Sequence, residues 1–265
     1  MENIPTRNVM KEDFGWEVPV ESVPLPSSGI LYSDNSVLKN KETVQIKAMT
    51  ALEEDILASQ AYIKDGTVID KLIQSCLINK SINASDLVLG DRNSLMVAIR
   101  VTGYGGDYNI TSKCNNCGHK NDVIVDLTDL PLKRIKIPPV RPGMNLFEFK
   151  LPVTKKLVHF KFLDGHAEKE SEAINKKYKE LGIHKQDDVT SYLERVIVSI
   201  DGIEDKNKIT HFVKNMPALD SRKLRQHIKS NEPGIDMKWD FKCEKCSNDN
   251  KIALPITPEF FWPTT

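Results

Sequence analysis

The sequence has no surplus of charge of either sign: 37 Lys and Arg are matched by 37 Asp and Glu, for a formal net charge of zero with histidine neutral. Sequence-independent affinity for a polyanion comes mainly from clustered cations that neutralise phosphates, so no general nucleic-acid binding is expected. No stretch approaches the ~20 apolar residues that span a bilayer. The opening Met1-Glu2-Asn3-Ile4-Pro5 has no basic segment leading into an apolar run. The expectation is a cytosolic protein with no membrane partner. Catalytic signatures are missing as well. There is no HExxH, no GxSxG and no EF-hand loop, and the carboxylates fall into no paired motif. Gly103-Tyr104-Gly105-Gly106 lacks the Lys-Ser/Thr of a P-loop and runs from helix to strand, so it reads as a link rather than a phosphate cradle. An enzyme is not expected.

What is present suffices to fold. The 265 residues are 40% hydrophobic and 28% charged, enough for one large or two small domains with a soluble surface. Residues 1–24, with Pro5, Pro19 and Pro24, read as an extended arm. Leu25-Pro26-Ser27-Ser28-Gly29 is turn chemistry, and Val44, Ile46 and Ala48 alternate as in a half-buried strand. Thr50 followed by Glu53 forms a capping box for a helix to about Tyr62. Ile69, Leu72, Ile73, Cys76 and Leu77 give a second helical stripe after Thr67. A third helix starts at Asp91 and ends near Gly103, and strands carry Tyr108 and Ile110, then Val123, Val125 and Leu127.

The second half repeats this order. Leu151-Pro152 parallels Leu25-Pro26, and Val158, Phe160 and Phe162 alternate as a strand; helical patterns follow at about 166–181, 188–199 and 206–215. Asp91 to Arg100 aligns with Asp220 to Lys229 at an offset of 129 residues, and Cys243 lies the same 129 positions after Cys114. The expected fold class is therefore α+β, with two tandem similar modules over 25–133 and 134–265. Each has strands plus helices and ends in a CxxC hairpin, and the two meet at a shared zinc-ribbon-like site.

Four of the five cysteines form the pairs Cys114/Cys117 and Cys243/Cys246. In a reducing compartment this spacing indicates metal rather than disulfide. Two intervening residues let the backbone turn both sulfurs onto one ion, and structural zinc takes four ligands in a tetrahedron. One half supplies only two thiolates, so one structural Zn(2+) per chain is expected across both. The competing reading, two redox dithiols, would place each CxxC at the start of a helix, whereas both pairs here sit between strands. Cys76 lies on an apolar helical stripe and reads as core. His119 follows the first pair and is a weaker ligand candidate than the four thiols. His159, His166, His184, His211 and His227 form no spaced ligand pair.

Phe260, Phe261 and Trp262 put three consecutive aromatics near the last residue. They read either as a fold-back over the hairpins or as a partner-binding anchor, since desolvated aromatics dominate interface energetics.

Taken in order, Leu25-Pro26-Ser27-Ser28-Gly29-Ile30-Leu31-Tyr32, Leu89-Gly90-Asp91-Arg92, Ile99-Arg100, Gly103-Tyr104-Gly105, the two CxxC pairs, Pro233-Gly234-Ile235-Asp236 and Phe260-Phe261-Trp262-Pro263 resemble the T4-type bacteriophage baseplate protein family. The resemblance runs from about residue 24 onward. It implies a structural or assembly protein of the central hub of a contractile-tail baseplate, acting by binding other phage baseplate and tail proteins. It also implies assembly in the host cytoplasm, and leaves open an oligomer within the hub and a place in the virion. The alternative class is a zinc-ribbon protein that binds nucleic acid or serves transcription, which a focused basic patch on the ribbon would favour.

Overall fold

The computed structural model describes residues 11, 13, 15–180, 189–256 and 258–261. Most of residues 1–14, the segment with His184, and Trp262 lie outside the described residues. The architecture is mixed, with helices packed among small antiparallel sheets.

Val20–Pro24 (β1) pairs antiparallel with Thr43–Lys47 (β2), with Val23 opposite Val44 on the buried face. This corrects the reading of residues 1–24 as an arm throughout, because the last five belong to the first sheet. The capping box at Thr50 and Glu53 forms as expected and opens Ala51–Ala58 (α1). The helix does not reach Tyr62 unbroken. Ser59 leaves helical geometry and its side chain caps a separate short helix, Gln60–Lys64 (α2). Val68–Cys76 (α3) buries Leu72, Ile73 and Cys76, and Leu89–Tyr104 (α4) buries Leu95 and Ile99 and ends on Gly105, whose φ is 82°. Asp107–Lys113 (β3) and Lys120–Asp126 (β4) make the first CxxC hairpin, with Asn121, Val123 and Val125 buried along β4.

After the short strand Leu132–Lys133 (β5), the second half opens with Phe147–Lys150 (β6) and Leu157–Phe160 (β7). Helices Gly165–Glu180 (α5) and Val189–Val196 (α6) follow, then strand Ile197–Ile200 (β8) beside β7. This strand replaces the last turn of the helix expected at 188–199. The run Val196-Ile197-Val198 is β-branched and stiff at χ1, and pairing with β7 outweighs its helical periodicity. Lys206–Asn215 (α7) and Ala218–Asn231 (α8) lead to Gly234–Ile235 (β9). The second CxxC hairpin is Lys238–Lys242 (β10) with Asp249–Ala253 (β11).

Local geometry recurs between the halves. The Asp91 carboxylate, at the start of α4, accepts from Ser27 N at 2.9 Å, Ser27 Oγ at 2.5 Å and Tyr32 OH at 2.6 Å. Asp220, at the start of α8, accepts from Val153 N at 2.7 Å, Thr154 N at 3.0 Å and Thr154 Oγ1 at 2.8 Å. Each helix thereby fixes the turn that follows a Leu-Pro pair. Where β8 pairs with β7, the first half has a single bridge from Ile46 to Leu77.

The halves also exchange segments. β5 of the first half pairs with β9 of the second, Leu132 opposite Ile235. In return, the 3-10 turn Pro258–Phe261 docks against α4. Gly90 lies so close to Pro233 that a Cβ there would sit 1.9 Å from the Pro233 carbonyl oxygen. Buried apolar residues form one cluster from Val23 to Phe261, so the two halves share a core.

Candidate metal centre

Each CxxC sits at the tip of a two-stranded hairpin and closes on itself identically. Cys114 N donates to His119 O at 2.8 Å and Gly118 N to Cys114 O at 3.0 Å. In the second knuckle Cys243 N donates to Asn248 O at 2.9 Å and Ser247 N to Cys243 O at 2.8 Å. Gly118 and Ser247 both take positive φ, 69° and 57°. Glycine takes this left-handed position without a Cβ penalty, and serine occupies the same position in the second knuckle.

The two tips face each other, and their sulfurs pair across the boundary between halves. Cys114 Sγ lies 3.6 Å from Cys246 Sγ, and Cys117 Sγ 3.7 Å from Cys243 Sγ. All four ligand atoms fall within 4.8 Å of one another. A tetrahedral zinc with Zn–S bonds of about 2.3 Å separates its sulfurs by about 3.8 Å, so the donor set fits such an ion in number and spacing. Four cysteines close together can bind a metal ion. Cys114 and Cys243 are buried, whereas Cys117 and Cys246 are exposed.

The backbone favours thiolate at the inner positions. The amides of Cys117 and Asn116 bring the Cys114 thiol down to about 6. Desolvation pushes Cys243 up, but the amides of Cys246 and Lys245 more than reverse it, and its pKa falls below the usual value. At Cys117 the His119 amide pulls down, yet desolvation and hydrogen bonds to Cys246, Cys243 and Cys114 together raise the thiol to about 11. Thiolate is the ligand form of cysteine, and a bound dication would favour it at all four positions.

The remaining sequence candidates sort clearly. Cys76 is fully buried, and burial raises its thiol to about 12, in keeping with a core role. His119 contributes its carbonyl to the knuckle, and its ring is outside the ligand cluster. Phe260 and Phe261 are both 0% exposed, so the expectation of a partner-binding anchor is corrected for these two residues. Phe260 packs on Tyr108 with ring centroids 5.2 Å apart and on Phe261 at 5.4 Å. The receptor for this turn is Arg100, 1% exposed, which donates from Nε to Phe260 O at 3.1 Å and from its other nitrogens to Gly105 O and Asp107 O.

Two residues escaped the sequence reading altogether: Asn121 and Asn250, which are buried beside the knuckles. The signal that would have found them is the offset of 129 that pairs the cysteines, because it pairs these asparagines too.

No helix among the described residues is long and apolar enough to cross a membrane. No curated protein and no solved structure matches the chain. The family model described as T4 bacteriophage base plate protein matches residues 32–262, which takes in both hairpins, all four clustered cysteines and the buried aromatic turn. Over that span the chain belongs to the T4 bacteriophage base plate protein family.

Proposed function

We propose that the chain is a structural or assembly component of the central hub of a contractile-tail baseplate, working by protein–protein binding, with one structural zinc held by Cys114, Cys117, Cys243 and Cys246. The observation that carries the functional part is the family match over residues 32–262. The fit of four thiolates to one tetrahedral ion supports the zinc, and four protein ligands leave no open position for a substrate. We read the two halves as tandem copies of one module, on the recurrent Asp91 and Asp220 contacts and the matched closure of the knuckles.

The perturbed acid at the start of α4 argues for scaffolding rather than turnover. Asp91 has its pKa raised by desolvation, yet it is 0% exposed, with Ser27 and Tyr32 spent on holding it. A catalytic acid needs a cleft that admits substrate. Nor is positive charge focused on the ribbon. Lys113, Lys120, Lys242 and Lys245 alternate there with exposed Asp122, Asp240, Glu244 and Asp249, which does not favour the nucleic-acid alternative.

The test is genetic. Phage carrying a null allele should produce heads and other tail parts but no complete baseplates, while normal baseplates would overturn the reading. Mass spectrometry of purified particles against unassembled lysate then separates a permanent component from an assembly factor.

A further inference from the structure

Asn121 and Asn250 make the same pair of contacts, each reaching across the boundary between halves. The Asn250 carboxamide oxygen accepts from Asn115 N at 2.9 Å, and the Asn121 oxygen accepts from Glu244 N, also at 2.9 Å. Asn115 and Glu244 each follow the first cysteine of their knuckle. The carboxamide nitrogens turn back to their own knuckles: Asn121 Nδ2 donates to His119 O at 3.0 Å, and Asn250 Nδ2 to Asn248 O at 2.8 Å. Those two carbonyls are the ones that close the knuckles. Asn250 Nδ2 also lies 3.6 Å from Cys114 Sγ.

These contacts obey one approximate two-fold relation with the sulfurs. Moving 129 positions along the chain carries Asn121 to Asn250, Asn115 to Glu244 and His119 to Asn248, and it carries the pair Cys114/Cys246 onto Cys243/Cys117. Side chains only 1% and 5% exposed cannot trade these bonds for water, and an unpaired buried amide is costly. Only asparagine supplies, at this reach, an acceptor for the opposite knuckle and a donor for its own.

From this geometry we infer that Asn121 and Asn250 are crossed latches. They are positioning residues that hold the two knuckles at ligand spacing without help from the ion, so that metal enters a preformed site. The inference rests on the proposed metal reading of the four cysteines and adds residues that touch no metal. Outer-shell groups that orient ligands typically change metal affinity about 10–100-fold when removed. Because the latches are related by the two-fold, loss of either one should weaken the whole site rather than half of it.

The test uses the full chain. Co(2+) and Zn(2+) binding is followed by the thiolate–cobalt absorption and by competition with a chelator, and amide hydrogen exchange is followed residue by residue in the metal-free protein. Asn121→Ala and Asn250→Ala should each weaken metal binding about 10–100-fold. Asn250→Ala should speed exchange at the Asn115 amide, on the other hairpin, and leave Glu244 protected, with the converse for Asn121→Ala. Asn121→Asp and Asn250→Asp keep the acceptor and trade the donor for a second acceptor against the knuckle carbonyl, so the crossed amide should stay protected in them where the alanine variants lose it.

Wild-type metal affinity in both alanine variants overturns the latch, as does loosening confined to the substituted residue's own hairpin. If the wild-type chain takes up neither ion, the metal reading fails by itself. The exchange pattern then decides the latch alone: crossed loss of protection upholds it, and unchanged protection sinks it.

Discussion

Asp91 and Asp220 stand at the same place in their helices, and their surroundings drive them in opposite directions. Asp91 is enclosed, and desolvation raises its pKa above the usual value against the hydrogen bonds from Ser27 and Tyr32. At Asp220 desolvation also pushes upward, but Thr154 N, Val153 N and Thr154 Oγ1 outweigh it and hold the pKa down. A depressed carboxylate contributes stability that is fully present above its unfolded pKa and is lost as pH falls through the folded one. A raised carboxylate does the reverse, because the folded state binds its proton first. Asp220→Asn turns an amide NH2 toward Thr154 N–H, two donors face to face, so it should lower the urea midpoint at pH 7 and cost less at pH 3, below the ordinary carboxylate value. Asp91→Asn keeps an acceptor for Ser27 N and faces two hydroxyls that can rotate, so its cost at pH 7 should be the smaller. Equal costs for Asp220→Asn at both pH values would refute this account.

Elements were legible in the sequence where their cause is local. The capping box at Thr50, the alternation along β4 and the spacing within each CxxC are all decided within a few residues, and they form as the sequence implies. β8 was not legible because its partner, β7, lies some forty positions away, and periodicity within residues 188–199 cannot register a distant edge. The aromatic turn failed for the same reason. Nothing near Phe260 announces that Arg100, buried at the end of α4, will offer it a guanidinium while also tying Gly105 O and Asp107 O. With both rings in the core, Phe261→Ala should cost about 3–5 kcal/mol and lower the melting temperature of the isolated protein. A variant that melts like wild type yet fails in baseplate assembly would return the turn to the role of an anchor.

At the scale of the whole chain, two kinds of connection join the halves, and they should separate on metal removal. The first is interlocking: β5 on β9, the turn at 258–261 on α4, Gly90 against Pro233, and one continuous core. The second is the cysteine cluster, whose closest pairs are 132 and 126 positions apart in sequence. An ion there closes a loop of more than a hundred residues. In a chain-entropy model, a cross-link over such a span stabilises by about 4–5 kcal/mol, which for a chain of this size corresponds to ~10–20 °C in melting temperature. Chelation, or Cys243→Ser, should therefore lower the melting temperature by about that much without unfolding the chain at 25 °C, because the interlocking contacts do not depend on the ion. Calorimetry with and without chelator, with metal analysis of the purified protein, checks both parts. No zinc, or no shift on its removal, would defeat the cluster as a cross-link. Complete unfolding on chelation would show that the interlocking contacts alone cannot hold the halves, and the junction between them would then depend on the metal.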